Sequence, residues 1–137
     1  MIKNFLIFLM LSLLVTNCST IGGFGFGKKK NQFEKLKINE FLWKASNNLL
    51  INYPNVTSDL KDGYVSTDWI ILKKNSKNRF KITVYILGPD LIEENLEIFV
   101  TKEVLKDGFW KKGQASSSFS DSLKKNIILR AKKLKSE

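Results

Sequence analysis

From Arg79 to Leu87 the chain alternates, with Phe80, Ile82, Val84 and Ile86 on one side and Lys81, Thr83 and Tyr85 on the other. A period of two sends successive side chains to opposite faces of an extended strand. Such a strand has one apolar face that must be covered and one that tolerates water, so the domain needs a second layer. Leu96 to Val104 repeats the pattern, with Leu96, Ile98 and Val100 opposite Glu97, Phe99, Thr101 and Glu103. Tyr64 to Leu72 follows it with Val65, Thr67, Trp69 and Ile71 on one face. Asp62-Gly63, the polar run Lys73 to Asn78, and Gly88-Pro89-Asp90 divide these runs, and links this short favour antiparallel neighbours. A fourth, weaker strand is expected near Phe109 to Gln114.

Helical spacing supplies the covering layer. Between Phe33 and Leu50 the apolar positions Ile38, Phe41, Leu42, Ala45 and Leu49 share a stripe, with Asn39 or an earlier residue as the cap and Pro54 soon after the end. From about Ser118 to Leu134 a second stripe holds Phe119, Leu123, Ile127, Ala131 and Leu134. Ser118 or Ser120 suits its N-cap. Lys132, Lys133 and Lys135 close this helix, where cations suit the dipole. The order α-β-β-β-α predicts an α+β two-layer sandwich. Its antiparallel sheet has three to four strands, with an N-terminal and a C-terminal helix on one face and the other face partly exposed. Trp43 is expected in the core, and Trp110, near a turn, at an interface.

Composition narrows the chemistry. The 137 residues suffice for one domain and include no histidine, two methionines and one cysteine. That removes most metal sites, Ser/His and Cys/His nucleophile pairs, and a disulfide within the chain. Glu93 and Glu94 form the one acidic pair of note, in a turn with no nucleophile or metal pattern beside it. The domain therefore reads as non-enzymatic, with no cofactor and no metal. The formal charge of +10 comes from lysines spread along the chain, with arginine only at Arg79 and Arg130. Lys, Asn and Ile are enriched together, which reads as a compositional bias rather than a nucleic-acid footprint.

The first residues carry an address. Lys3 precedes eleven residues, Phe5 to Val15, that are apolar except for Ser12. This is short of the roughly 20 apolar residues that span a bilayer, but it suits the hydrophobic region of an export signal. Leu14-Val15-Thr16-Asn17-Cys18 then resembles the bacterial lipobox, although Asn17 stands where Gly, Ala or Ser is usual. The resemblance implies a lipoprotein signal peptide over residues 1–17 and acylation, including palmitate, at Cys18. A flexible Gly/Lys spacer over residues 18–32 and a single domain over residues 33–137 follow. The spacer glycines lack a preceding strand and a following GK[ST], so they form no phosphate loop. Lys28, Lys29 and Lys30 either lie against anionic headgroups, at about 1 kcal/mol each, or form a solvated charge run. Ser19 follows the cysteine where an inner-membrane retention signal places aspartate, which points to the outer membrane and the periplasmic side.

Four blocks of the domain also carry a resemblance: FLWKAS (Phe41 to Ser46), GYVSTDW (Gly63 to Trp69), NRFKITVYIL (Asn78 to Leu87) and ILRAKKL (Ile128 to Leu134). Together they look like an uncharacterised lipoprotein domain family of alphaproteobacteria, which implies envelope location and no particular chemistry. The order of helix, glycine, TDW strand and Arg-aromatic strand also looks like the helix-grip domains of BamC. BamC is a lipoprotein of the outer-membrane β-barrel assembly machinery.

With no chemistry to place, the working surface is sought on the uncovered sheet face. Tyr64, Asp68, Lys81, Tyr85 and Phe99 are the candidate residues for docking a partner there. Asp68 and Arg79 are placed to pair across adjacent strands, and sheet stabilisation is the plainer role for them and for Trp69. The leading expectation is a membrane-anchored lipoprotein that acts as a non-catalytic accessory or scaffold in cell-envelope assembly or maintenance, with an envelope protein as partner. The alternative is a lipid or lipopolysaccharide binder, which needs an apolar cavity of a few hundred Å3 beneath the helices.

Overall fold

The computed structural model describes residues 31–137, so the signal peptide, Cys18 and the spacer lysines lie outside the described residues. The helical stretch expected from Phe33 to Leu50 is two helices. The short α1 (Gln32–Leu36) is capped by Asn31, whose Oδ1 accepts from the Phe33 amide, and it stops at Lys37 in the left-handed conformation, φ 55°. Asn39 then starts α2 (Glu40–Leu50), its Oδ1 accepting from the Leu42 amide at 2.9 Å. Its other groups reach the sheet. The Asn39 amide donates to the Gly88 carbonyl at 2.9 Å, and its Nδ2 donates to the Pro89 carbonyl at 2.8 Å. One buried asparagine thus caps a helix and ties it to the β-layer.

One antiparallel sheet holds six strands, against the three to four expected. They are β1 (Thr57–Asp59), β2 (Tyr64–Ser66), β3 (Ile70–Leu72), β4 (Asn75–Ile86), β5 (Leu96–Lys106) and β6 (Phe109–Gly113). The order across the sheet is β1-β2-β4-β5-β6, and β3 pairs with β4 farther along the same edge as β2. The extra strands have two origins. β1 is a three-residue strand with no alternation to reveal it. The single strand expected over Tyr64 to Leu72 is broken at Thr67 to Trp69.

That break changes which residues face the core. Ser66 lies opposite Thr83 and Ile70 opposite Phe80, so four steps on one side match three on β4. The extra residue is absorbed where the Asp68 amide donates to the Pro54 carbonyl and the Asp68 carboxylate accepts from the Trp69 amide at 2.7 Å. One inserted residue reverses the facing of everything after it. Val65 and Thr67 point into the core, but Trp69 joins the outer face and Ile70 replaces it inside. Strict alternation had put Trp69 with Val65.

The remaining turns follow their residues. Lys73 and Lys74 alone connect β3 to β4, so the polar run expected as a turn is mostly strand. Asp107 and Gly108 connect β5 to β6 with φ of 54° and 81°, the two positive values that a tight hairpin turn of matching twist requires. The C-terminal helix α3 (Ser117–Ser136) begins earlier than expected, with Ser116 at the N-cap position and no side-chain cap bond.

Both α2 and α3 cover one face of the sheet, as expected. Leu42, Ala45 and Leu50 from α2 and Leu123, Ile127, Ile128 and Ala131 from α3 meet Val65, Ile82, Val84, Ile86 and Leu96 from the strands. Each fully buried aliphatic side chain contributes about 1.5–3 kcal/mol. Trp43 is half-buried and packs against this core, near where it was expected. Among the described residues no helix is long and apolar enough to cross a membrane.

Candidate functional sites

The uncovered face is built by register. Tyr64 on β2 lies opposite Tyr85 on β4, and Thr83, two residues back along β4, lies opposite Phe99 on β5. Their rings form a row, with Tyr64 and Tyr85 centroids 6.1 Å apart and Tyr85 and Phe99 edge to face at 5.8 Å. Phe99 is 50% exposed, so the row ends in an open aromatic surface. Lys81 shares this face, opposite Thr101. Beneath the row, the Ser66 and Thr83 hydroxyls lie 2.8 Å apart and close a polar pair between strands. The structure therefore brings Tyr64, Lys81, Tyr85 and Phe99 to one face of the sheet.

Asp68 stands in the break beside that face, fully exposed. Its carboxyl is held below the usual carboxylate range, first by the Trp69 amide, then by the Asn55 side-chain amide, with Lys81 and Arg79 adding attraction at longer range. Asp68 does not pair with Arg79. Arg79 instead donates from Nε to the Glu103 carboxylate at 2.7 Å, directly across the β4–β5 pair. The Arg79 guanidinium also lies between the Trp69 and Trp110 rings, 4.3 and 4.4 Å from their centroids. A cation held between two indole faces is attracted to both, which ties β4 to β6 and to the break before β3. Trp110 is therefore part of the sheet face, and Glu103 takes the role assigned to Asp68. The sequence held the signal: Arg79 and Glu103 are opposite charges on outward positions of two alternating strands.

The helical side of the sheet holds a second feature. Between the first turn of α3 and the β3–β4–β5 end lies a cavity of about 330 Å3. Leu72, Phe80, Val100, Ala115 and Phe119 form its apolar walls, with Lys102 and Asn75 among the polar groups. Phe80 and Phe119 meet edge to face there at 6.1 Å. The cavity exists because α3 starts at Ser117 and leaves the last pairs of β4 and β5 without a helix above them.

A relative, described as Uncharacterized protein RP420 of Rickettsia prowazekii (strain Madrid E), is 26% identical over 109 residues. The alignment covers 77% of this chain and 65% of that protein, so the chain spans about two thirds of its relative's length. No solved structure matches the chain, and the likeness to BamC gains no support. The expected kinship with an uncharacterised alphaproteobacterial family is met. Residues 36–136, nearly the whole described domain, match one family, and the chain belongs to it: Domain of unknown function (DUF3576).

Proposed function

We propose that this chain is a membrane-anchored bacterial lipoprotein. Its domain acts as a non-catalytic scaffold or accessory in cell-envelope assembly or maintenance, on the periplasmic side of the outer membrane. The observation that carries this reading is the uncovered sheet face, where the Tyr64, Tyr85 and Phe99 rings line up in a row among charged side chains. Aromatic anchors within a polar surround characterise protein-binding patches. The apolar run from Phe5 to Val15 and the lipobox-like segment ending at Cys18 support an anchor made of lipid on that cysteine. Two measurements test the reading. Mass spectrometry of the membrane fraction is expected to find acylated Cys18 as the mature N-terminus, and Cys18→Ala to leave the protein unprocessed or soluble. Capture of a partner from envelope extract is expected to weaken with Tyr85→Ala. An unacylated mature N-terminus other than Cys18 overturns the anchor, and capture indifferent to both Tyr85→Ala and Phe99→Ala overturns the docking face.

A second reading, a lipid-binding lipoprotein, is favoured by one observation. The apolar cavity beneath the start of α3 has a volume of about 330 Å3, inside the range of ligand sites.

A further inference from the structure

The cavity at the start of α3 has a charge pattern as well as a volume. Its walls are apolar, and among the described residues its lining contains Lys102 but no carboxylate. Lys73 and Lys74 form the turn between the lining residues Leu72 and Asn75, and Lys77 stands between Asn75 and Asn78, all three exposed. Among the described residues none of these four lysines makes an ion pair. Helix α3 begins beside the same opening with no side-chain cap on its first turn, so its positive end adds to the same field. An apolar interior next to unpaired cations matches a ligand with a hydrocarbon body and an anionic head.

Volume decides how large the body is. At about 30 Å3 for each water-sized group, a cavity of about 330 Å3 takes on the order of ten methylenes. That suits one medium-length chain better than both chains of a phospholipid together. We propose that the cavity binds a single-chain anionic amphiphile, a fatty-acid carboxylate. Its chain lies against Phe80, Val100 and Phe119, and its carboxylate is directed to Lys102 and the Lys73–Lys74 turn. This inference rests on the lipid-binding reading and is independent of the docking face, which lies on the other side of the sheet.

The test uses the full chain in its membrane fraction and a dodecanoate probe carrying a diazirine near the methyl end. After irradiation, peptide mapping is expected to place the label on the segments containing Phe80, Val100 and Phe119. Val100→Phe, which fills the cavity, is expected to cut that labelling about fivefold or more, because a close-packed interior leaves no second place for the chain. Ala115→Phe fills it from a position outside helix and strand, so a folding defect in one variant does not decide the matter. Lys102→Glu is expected to lower labelling about threefold, the scale of one partly exposed charge contact. Tyr85→Ala, on the opposite face, is expected to leave it unchanged. Equal labelling by the matched diazirine alcohol overturns the anionic assignment while leaving a neutral lipid ligand standing. Labelling that is absent from the cavity, or that persists in both filled variants, overturns the site and the lipid-binding reading together.

Discussion

Arg79 on β4 donates its Nε to Glu103 on β5 at 2.7 Å, and both side chains keep only 23% exposure because Trp69 and Trp110 enclose the guanidinium. The pair is thus neither a solvated surface bridge nor a fully buried one. Arg79→Ala is expected to destabilise the domain by about 1–3 kcal/mol, from the lost ion pair, two cation–ring contacts and partial burial. Arg79→Lys keeps the charge but loses the planar fork, and is expected to recover less than half of that. Urea unfolding of Arg79→Ala, Glu103→Gln and the double variant gives the coupling directly. A coupling near zero would leave the indoles, not the carboxylate, as the reason for the arginine.

Ile82 and Tyr85 lie three residues apart on β4 and face opposite ways. Ile82 is fully buried between the helices and the sheet. Ile82→Ala is expected to cost about 2–5 kcal/mol, lost transfer energy plus a cavity. Tyr85 keeps contact with Tyr64 and Phe99 and is only partly buried, so Tyr85→Ala is expected to cost about 0.5–1.5 kcal/mol. Thermal melts of the two variants compare them. A larger loss for Tyr85→Ala would mean that the aromatic row is structural and the docking face lies elsewhere.

Two glycines with positive φ separate strain from collision. Gly63 has φ 67°, and a Cβ there would lie 2.8 Å from the Ile86 carbonyl oxygen, a backbone atom that also belongs to the sheet. Gly108 has φ 81°, and a Cβ there meets nothing. Gly108→Ala is expected to cost about 1 kcal/mol, the left-handed penalty alone. Gly63→Ala is expected to cost about 2 kcal/mol or more, because β2 must also shift away from β4. Equal losses in chemical unfolding would show that the β2 end relaxes freely.

Asp68 gives a pH signature. Its folded carboxyl titrates below the ordinary value because the Trp69 amide, then the Asn55 amide, bind the charged form. A depressed folded pKa contributes stability above the unfolded pKa, near 3.9, and that contribution is lost as pH falls through the folded value. The group is fully exposed, so the expected effect on stability is small and appears only on the acid limb. A carboxyl titration followed by NMR is expected to place Asp68 below the ordinary aspartate value. Asp68→Asn is expected to remove its share of the acid-limb slope. A midpoint at or above that value would mean that the strand break is held by the Pro54 contact alone.

The periodic parts of this fold were legible and the aperiodic ones were not. The period of two in β4 and β5 identified both strands, their inward residues and the need for helices on one side, because burial of one face imposes that pattern. Trp69 was misplaced because a single inserted residue leaves no trace in composition while reversing every later side chain. β1 was invisible because three residues carry no period. The Asp107-Gly108 dipeptide carried a hairpin signal that went unused when the strand after it was expected only as a weaker fourth. Of the candidate face, Tyr64, Lys81, Tyr85 and Phe99 followed from alternation alone. Glu103 required the register between β4 and β5, which only the folded sheet supplies.

Asn39 sets an orientation for the whole domain. Its bonds to Gly88 and Pro89 place the N-terminal end of the domain beyond the Ile86 end of β4, whereas the cavity opens near Phe80. Eight residues of nearly extended chain separate Gly88 from Phe80, or roughly 27 Å at about 3.4 Å per residue. The domain therefore has two poles, one where Asn39 ties the first helices to the sheet and one where the apolar interior meets solvent. The lipid tether proposed above would hold the first pole toward its membrane and turn the second outward. The single-chain guest proposed above would then enter and leave from the aqueous side, without crossing the gap between domain and support.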